Sequence, residues 1–255
     1  MSPALIFASF KSWFRVRAGL AGPVAFLAIM FLVEGAFWTR VGGGGAIAGY
    51  AGSRMLLYVY SALVVSQIVA CTGEPDSLSR RVESGGLDAF LLRPSGYVEQ
   101  MLSIQLGQTL ARTAALWPLL PLCESALTGS VRWDRQLSAL ALLPAASAIN
   151  FLINHCLAAL TFYYRDSYAF VIFKETLCWV LGGTLIPLDL LPGKLAAAAG
   201  ALPPAFVVFY PAKAVLGDVP ADAVLAGQAL FLVLLWLTAS VSWSVGVRRY
   251  QAYGG

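Results

Sequence analysis

Charge is what this sequence has least of. Asp, Glu, Lys and Arg make up 12% of its 255 residues, where a soluble domain carries roughly a quarter. Hydrophobic residues reach 59% and the mean hydropathy is +0.75. That deficit excludes an ordinary water-facing surface and points to the bilayer as solvent, where lipid-facing positions are apolar and backbone groups pair inside helices. Phosphate-cradling GxxxxGK[ST] loops are missing too, so no ATP hydrolysis is expected on this chain. It holds one histidine, His155, in "INFLINHCLAAL", and neither HExxH nor GxSxG, which leaves no evident acid–base pair or nucleophile elbow. Its four cysteines (Cys71, Cys123, Cys156 and Cys178) show no CxxC or Cys/His spacing. They read as small packing residues, and no metal site is expected. The start, "MSPALIFASFKSWFRVRAG", places its basic residues after the first apolar ones and has no small-x-small cleavage site, so no cleavable signal is predicted.

What the chain does have is long apolar runs. About six spans of the required length of roughly 20 residues can be drawn, near 20–38, 55–71, 98–127, 137–164, 168–185 and 223–247. The class is all-α: a polytopic membrane protein organised as one domain over residues 1–255, without internal repeats. Ahead of the first span, Phe7, Phe10 and Phe14 recur at helical spacing beside Lys11 and Arg15. This pattern predicts an amphipathic helix lying in the membrane interface. With the N-terminus inside, nine of the 17 Lys and Arg fall in inner segments and six in outer ones, while Arg112 and Lys174 lie within spans. The bias places both termini in the cytoplasm. Because the arginines divide between two sides of a membrane, no nucleic-acid partner is expected. Residues 186–222 are rich in Pro and Gly yet greasy. Short helices dipping into the outer leaflet fit such a composition, since irregular backbone at membrane depth must be buried by protein.

Two groups of residues stand out as candidate sites. The first is the loop between the second and third spans, "RRVESGGLDAFLLRPSGY" at 80–97. A short helix over 76–84 would end at Gly85 and Gly86. A second would start at Leu87, with Leu87, Phe90 and Leu91 on one face, and stop at Arg93-Pro94. The result is a compact element with an apolar and a charged face; a plain solvated connector is the alternative. The second group is the set of polar residues inside spans: Glu34, Arg112, Glu124, Asn150, Asn154, His155, Lys174 and Glu175. Buried charges need partners, which either a translocation path or contacts between helices would supply. Lys174 and Glu175 are neighbours pointing about 100° apart and need not pair with each other.

The stretches "SGGLDAFLLRPSGYVEQ", "GGTLIPLDLLPGKL", "LPPAFVVFYPAKAVLGD" and the ending "VRRYQAYGG" resemble, in order and spacing, the six-span bacterial ABC-2 type transporter permeases. The resemblance implies a permease subunit of an ATP-driven exporter in the bacterial cytoplasmic (inner) membrane. A separate ABC ATPase subunit would carry ATP and Mg, and this chain would hold no cofactor. A coupling helix would fall on the first loop, with Asp76, Arg80, Arg81, Glu83, Gly85, Gly86, Asp88, Arg93 and Pro94 as its carriers. The segment 186–222 would form outer re-entrant helices, and a second permease chain, the same or related, would complete a path among membrane lipids. Two other readings stay open on the residues: an intramembrane lipid-modifying enzyme using Glu34, Arg112 or His155, and a structural membrane subunit. Substrate identity is not legible.

Overall fold

A computed structural model describes residues 2–15, 17–41, 50, 52–71, 78, 81–82, 86–92, 96–164 and 168–249. The architecture is all-α. α1 (Pro3–Arg15) precedes α2 (Arg17–Val41), α3 (Gly52–Val69), the single turn α4 (Asp88–Leu91), α5 (Tyr97–Leu116), α6 (Leu119–Thr128) and α7 (Trp133–Ala158), which runs on as a 3-10 turn to Phe162. α8 (Tyr168–Leu181) and a 3-10 turn (Leu188–Leu190) lead into three short helices. These are α9 (Gly193–Gly200), α10 (Pro203–Val207) and α11 (Phe209–Leu216), and the long α12 (Ala221–Val247) follows.

Residues 21–41, 52–69, 133–162 and 221–247 form helices long and apolar enough to cross a membrane. The two remaining predicted spans are helical but interrupted, and each for a chemical reason. The third is split between α5 and α6 at Trp117-Pro118. Pro118 and Pro121 both lack an N–H, so two nearby backbone bonds are withdrawn and the helix breaks. The fifth, α8, has 14 residues, about 21 Å at 1.5 Å per residue, against a hydrocarbon core of roughly 30 Å. It ends where Gly183 takes a φ of 71°, a left-handed turn suited to glycine.

α3 and α7 occupy the centre. Tyr58, Val59, Ala62, Val64, Val65 and Ile68 of α3 are fully buried, as expected of a helix apolar on every side. α2 packs on α3, α12 packs on α7, and α11 fits against both α3 and α7. The outer helices turn Leu32, Val33, Leu230, Val233 and Leu237 outward, the surface a lipid tail would cover. The greasy segment 186–222 folds back onto the bundle as predicted, burying Phe209, Ala212 and Val215. It is pinned by backbone carbonyls. The Tyr58 hydroxyl donates to the Gly183 carbonyl at 2.7 Å, and the Arg135 guanidinium donates to that of Leu216 at 2.8 Å.

α1 lies along α5, but not on its phenylalanine stripe. Ser9 and Trp13 face the protein, while Phe7 and Phe14 stay exposed. Gly107 explains the choice: without a side chain there, the α1 backbone comes close enough for the Ser9 hydroxyl to donate to the Ile104 carbonyl at 2.8 Å. The outward face then carries Phe7 with the Lys11 ammonium 4.4 Å from its ring centroid, the mixture that suits an interface. A methyl group at Gly107 would collide with Ser9 and the Ile6 carbonyl. Gly107→Ala is therefore expected to cost about 1–3 kcal/mol of overpacking, read as a lower unfolding midpoint in detergent and faster proteolysis of α1. Gly22→Ala, with nothing within 4 Å of the added carbon, should change neither.

Candidate functional site

Three of the polar residues of the spans, Arg112, Asn150 and Lys174, gather at the end of α3. The last carbonyls of any helix lack intrahelical donors, and within a bilayer no water replaces them. Three side chains from two other helices take that role here. The Asn150 amide donates to the Val69 carbonyl at 3.0 Å. The Gln105 amide donates to the Ala70 carbonyl at 3.2 Å and to the Ser147 hydroxyl at 3.1 Å. The buried Arg112 guanidinium donates to the same Ala70 carbonyl, placing a cation at the negative end of the helix dipole. Thr109 and Ser147 close the set, their hydroxyls 2.6 Å apart. α5 and α7 thus clasp α3 together.

α8 adds a buried cation to this clasp. Lys174, 5% exposed, donates to the Asn150 side-chain carbonyl at 3.1 Å and to Glu175 at 2.7 Å. The two neighbours need not pair at their helical angle, and here they do. Glu175 keeps 46% of its side chain exposed. A cavity of about 200 Å³ lies beside the pair, between the α3 end, α8 and α10. Ser66, Gln67, Asn150, Lys174, Glu175 and Thr184 supply its polar lining, and Val69, Trp179, Pro204, Val207 and Val208 its apolar wall.

The other polar candidates go elsewhere. Glu124 accepts from the Gln136 amide at 2.8 Å and from the Arg132 N–H at 3.2 Å, so it caps the start of α7 and closes the α6–α7 hairpin. Glu34 accepts from the Trp38 indole at 2.9 Å within α2. The Asn154 amide donates to the Asn150 carbonyl at 3.1 Å, one turn back. The His155 ring sits among Tyr97, Phe151 and Trp243, with centroids 6.0, 5.9 and 5.6 Å away. Arg112 and Asn150 therefore meet at one clasp and Lys174 joins it, whereas Glu34, Glu124 and His155 belong to three separate settings.

In the charged loop, Asp76, Arg80, Glu83, Gly85, Arg93 and Pro94 lie outside the described residues. Leu78 and Leu87 are fully buried, packed with Tyr97, Val98, Met101 and Phe151. Arg81 donates to the Tyr97 hydroxyl at 2.7 Å and lies over the Phe90 ring at 4.4 Å. Tyr97 in turn stacks on Trp243 of α12, with centroids 4.5 Å apart and planes 3° from parallel. Gly86 and Asp88 face outward. The loop's apolar face is thus seated on α5, α7 and α12, with Asp88 left on the open side.

At the far end of α3, sequence reasoning missed a second network. Lys213 of α11 bridges Asp189 and Asp218, the latter at 2.9 Å. Asp218 also pairs with Arg54, and the Tyr50 hydroxyl donates to Asp189 at 2.8 Å. Each residue stands alone in a loop or short helix, and the sequence gives no period that links them. Burial by itself pushes the Lys213 ammonium down, but hydrogen bonds with Asp189, Tyr50 and Asp218 outweigh it and lift its pKa above that of an ordinary lysine. Burial chiefly pushes the Tyr50 phenol up. A raised lysine pKa stabilises the fold fully below the unfolded value of about 10.4 and is lost only as pH rises through the folded one. Lys213→Met should therefore lower the unfolding midpoint by a constant amount between about pH 6 and 9, as thermal melts across that range would show.

Asn150 carries two bonds at the clasp. Asn150→Leu strands the Val69 carbonyl and removes one acceptor from Lys174, and each unsatisfied buried group costs about 1–3 kcal/mol. Glu175→Gln weakens a half-exposed pair, worth about 1 kcal/mol or less. Thermal unfolding of the two variants in the same detergent should rank Asn150→Leu as clearly the less stable.

Residues 23–254 match the sequence model of a family described as "ABC-2 family transporter protein". No curated protein matches the chain. The matched region takes in the α3 clasp, the charged loop and all of α12. A bundle of apolar helices with irregular, buried segments between them is what a transporter's membrane part requires, and the chain belongs to the ABC-2 family of transporter proteins.

Proposed function

We propose that this chain is the permease subunit of an ATP-driven exporter, moved by a separate ABC ATPase that docks on the loop over residues 76–94. The observation that carries this reading is the seating of that loop. Leu78 and Leu87 are fully buried and Arg81 is bonded to Tyr97, which ties the loop to α5, α7 and α12 while Asp88 faces outward. A segment held so firmly on one side and open on the other can pass a push from a soluble partner into three helices at once. Family membership supports the same reading, since ABC transporters pair membrane chains with ATPase components.

In this proposal the loop and both termini lie in the cytoplasm of a bacterial cell, and the chain sits in the inner membrane. ATP and Mg bind the partner. α1 lies on the inner face, and the segment 186–222 closes the outer side. A second permease chain completes the path, and ATP-driven closure of the ATPase pair rocks the spans around it. Glu34, Arg112 and His155, which an intramembrane enzyme would have to bring together, contact different partners on different helices.

The test is co-purification in mild detergent from cells expressing the whole transporter. The wild-type chain should retain a P-loop ATPase, and replacing exposed Asp88 by Lys together with Arg81 by Met should weaken that association at least about tenfold, or ~1.4 kcal/mol. Unchanged assembly and unchanged ATP-dependent transport in the double variant would defeat the coupling role.

A further inference from the structure

The cavity beside Lys174 has the makings of a ligand site in its own right. An ammonium carries three N–H donors. Lys174 gives one to Asn150 at 3.1 Å and one to Glu175 at 2.7 Å, and no described residue takes the third. Lys174 is 5% exposed and lines the cavity, as do Gln67 and Thr184. A cation at this depth requires an anion. Glu175 supplies it at present, yet its side chain is 46% exposed. The only described anion on the ammonium is therefore the one best placed to swing away.

The rest of the lining fits an amphiphile. Val69, Trp179, Pro204 and Val207 offer apolar wall. Lys174 lies six residues into α8, about 9 Å from its start, on the same side of the bundle as the end of α3. We propose that this cavity binds the acidic headgroup of an amphiphile, with Lys174 as the anchoring cation and Glu175 as the counter-ion the headgroup displaces. A phosphate or carboxylate brings charge-assisted acceptors to the ammonium, and its chain follows the apolar wall of Val69, Trp179, Pro204 and Val207. Gln67 and Thr184 stand ready for the remaining headgroup oxygens.

This inference involves neither an ATPase nor transport, so it stands or falls apart from the exporter reading. It also fixes the sign of two substitutions in opposite directions. Removing the competing carboxylate strengthens binding; removing the cation abolishes its charge preference.

The experiment uses the full chain, purified in detergent and stripped of lipid. It is titrated with phosphatidylglycerol or phosphatidylcholine, with bound lipid counted by native mass spectrometry and inorganic phosphate added as competitor. Wild type should prefer phosphatidylglycerol. Glu175→Gln should bind it at least about tenfold more tightly, because one charge-assisted hydrogen bond no longer opposes it. Lys174→Gln combined with Glu175→Gln, a neutral pair that keeps the fold free of an unpaired charge, should show no preference between the two lipids. In a chain with Cys71, Cys123 and Cys156 replaced by Ser, bound phosphatidylglycerol should slow alkylation of Cys178, which lines the same cavity. Competition by inorganic phosphate would assign the site to the anionic group alone, and its failure to compete would assign it to a bilayer lipid. The proposal is overturned if Glu175→Gln leaves phosphatidylglycerol affinity unchanged or weaker, or if the neutral pair keeps the preference.

Discussion

The structure turns on two backbone carbonyls. Val69 and Ala70 end α3, where no next helical turn supplies donors to pair with them. Asn150, Gln105 and Arg112 reach across to do so. In lipid, apolar faces give little preference for one helix register over another, because tails solvate them equally well. Directional bonds decide instead. Once the α3 end must be met by Gln105 and Arg112, α5 can sit at one height only. Once it must be met by Asn150, so must α7. Lys174, bonded to the far side of the same Asn150 amide, then fixes α8.

α3 is held at its other end by a different kind of contact. Tyr58, on its buried face, donates to Gly183 in the turn after α8, and Arg54 at its start pairs with Asp218 beside the Lys213 network. The central helix is thus fixed near one end through neutral and cationic donors to its own carbonyls, and near the other through the Tyr58 hydrogen bond to Gly183 and the Arg54–Asp218 ion pair. The apolar contacts between these points, such as those of Ile68, Val65 and Ala62, fill space without setting the register.

Much of the architecture was legible because the bilayer imposes it. The apolar runs predicted the all-α class, and their limits agree with the helices to within a few residues, as with 223–247 against Ala221–Val247. The Pro and Gly of 186–222 correctly pointed to short buried helices. Legibility stopped where a property depends on partners distant in sequence. Gln105 looked like one polar residue in an apolar window, and its role follows only from Ala70 and Ser147, 35 and 42 residues away. Phe7 and Phe14 read as the apolar face of an interfacial helix and do stay exposed, but nothing local showed that the glycine at 107 would draw Ser9 and Trp13 to the protein side. The network at the other end of α3 joins Tyr50, Asp189, Lys213 and Asp218 from segments as much as 168 positions apart, and no local pattern encodes it.

The clasp also constrains how the bundle can move. Separating α3 from α5 and α7 would strand the Val69 and Ala70 carbonyls together with the Asn150 and Gln105 amides, and each buried unsatisfied group costs about 1–3 kcal/mol. Bending the chain where its hydrogen bonds are already interrupted costs far less. Two such places flank the clasp: Trp117-Pro118, where α5 gives way to α6, and Gly182-Gly183, where α8 ends. The clasp therefore holds α3, α5 and α7 together more firmly than the chain is held at those two interruptions. The loop seated on α5, α7 and α12 through Leu78, Leu87 and Tyr97 bears on two of these helices directly. In the proposed coupling role, a push on the loop would bend the chain at Trp117-Pro118 and Gly182-Gly183 more readily than it would open the clasp.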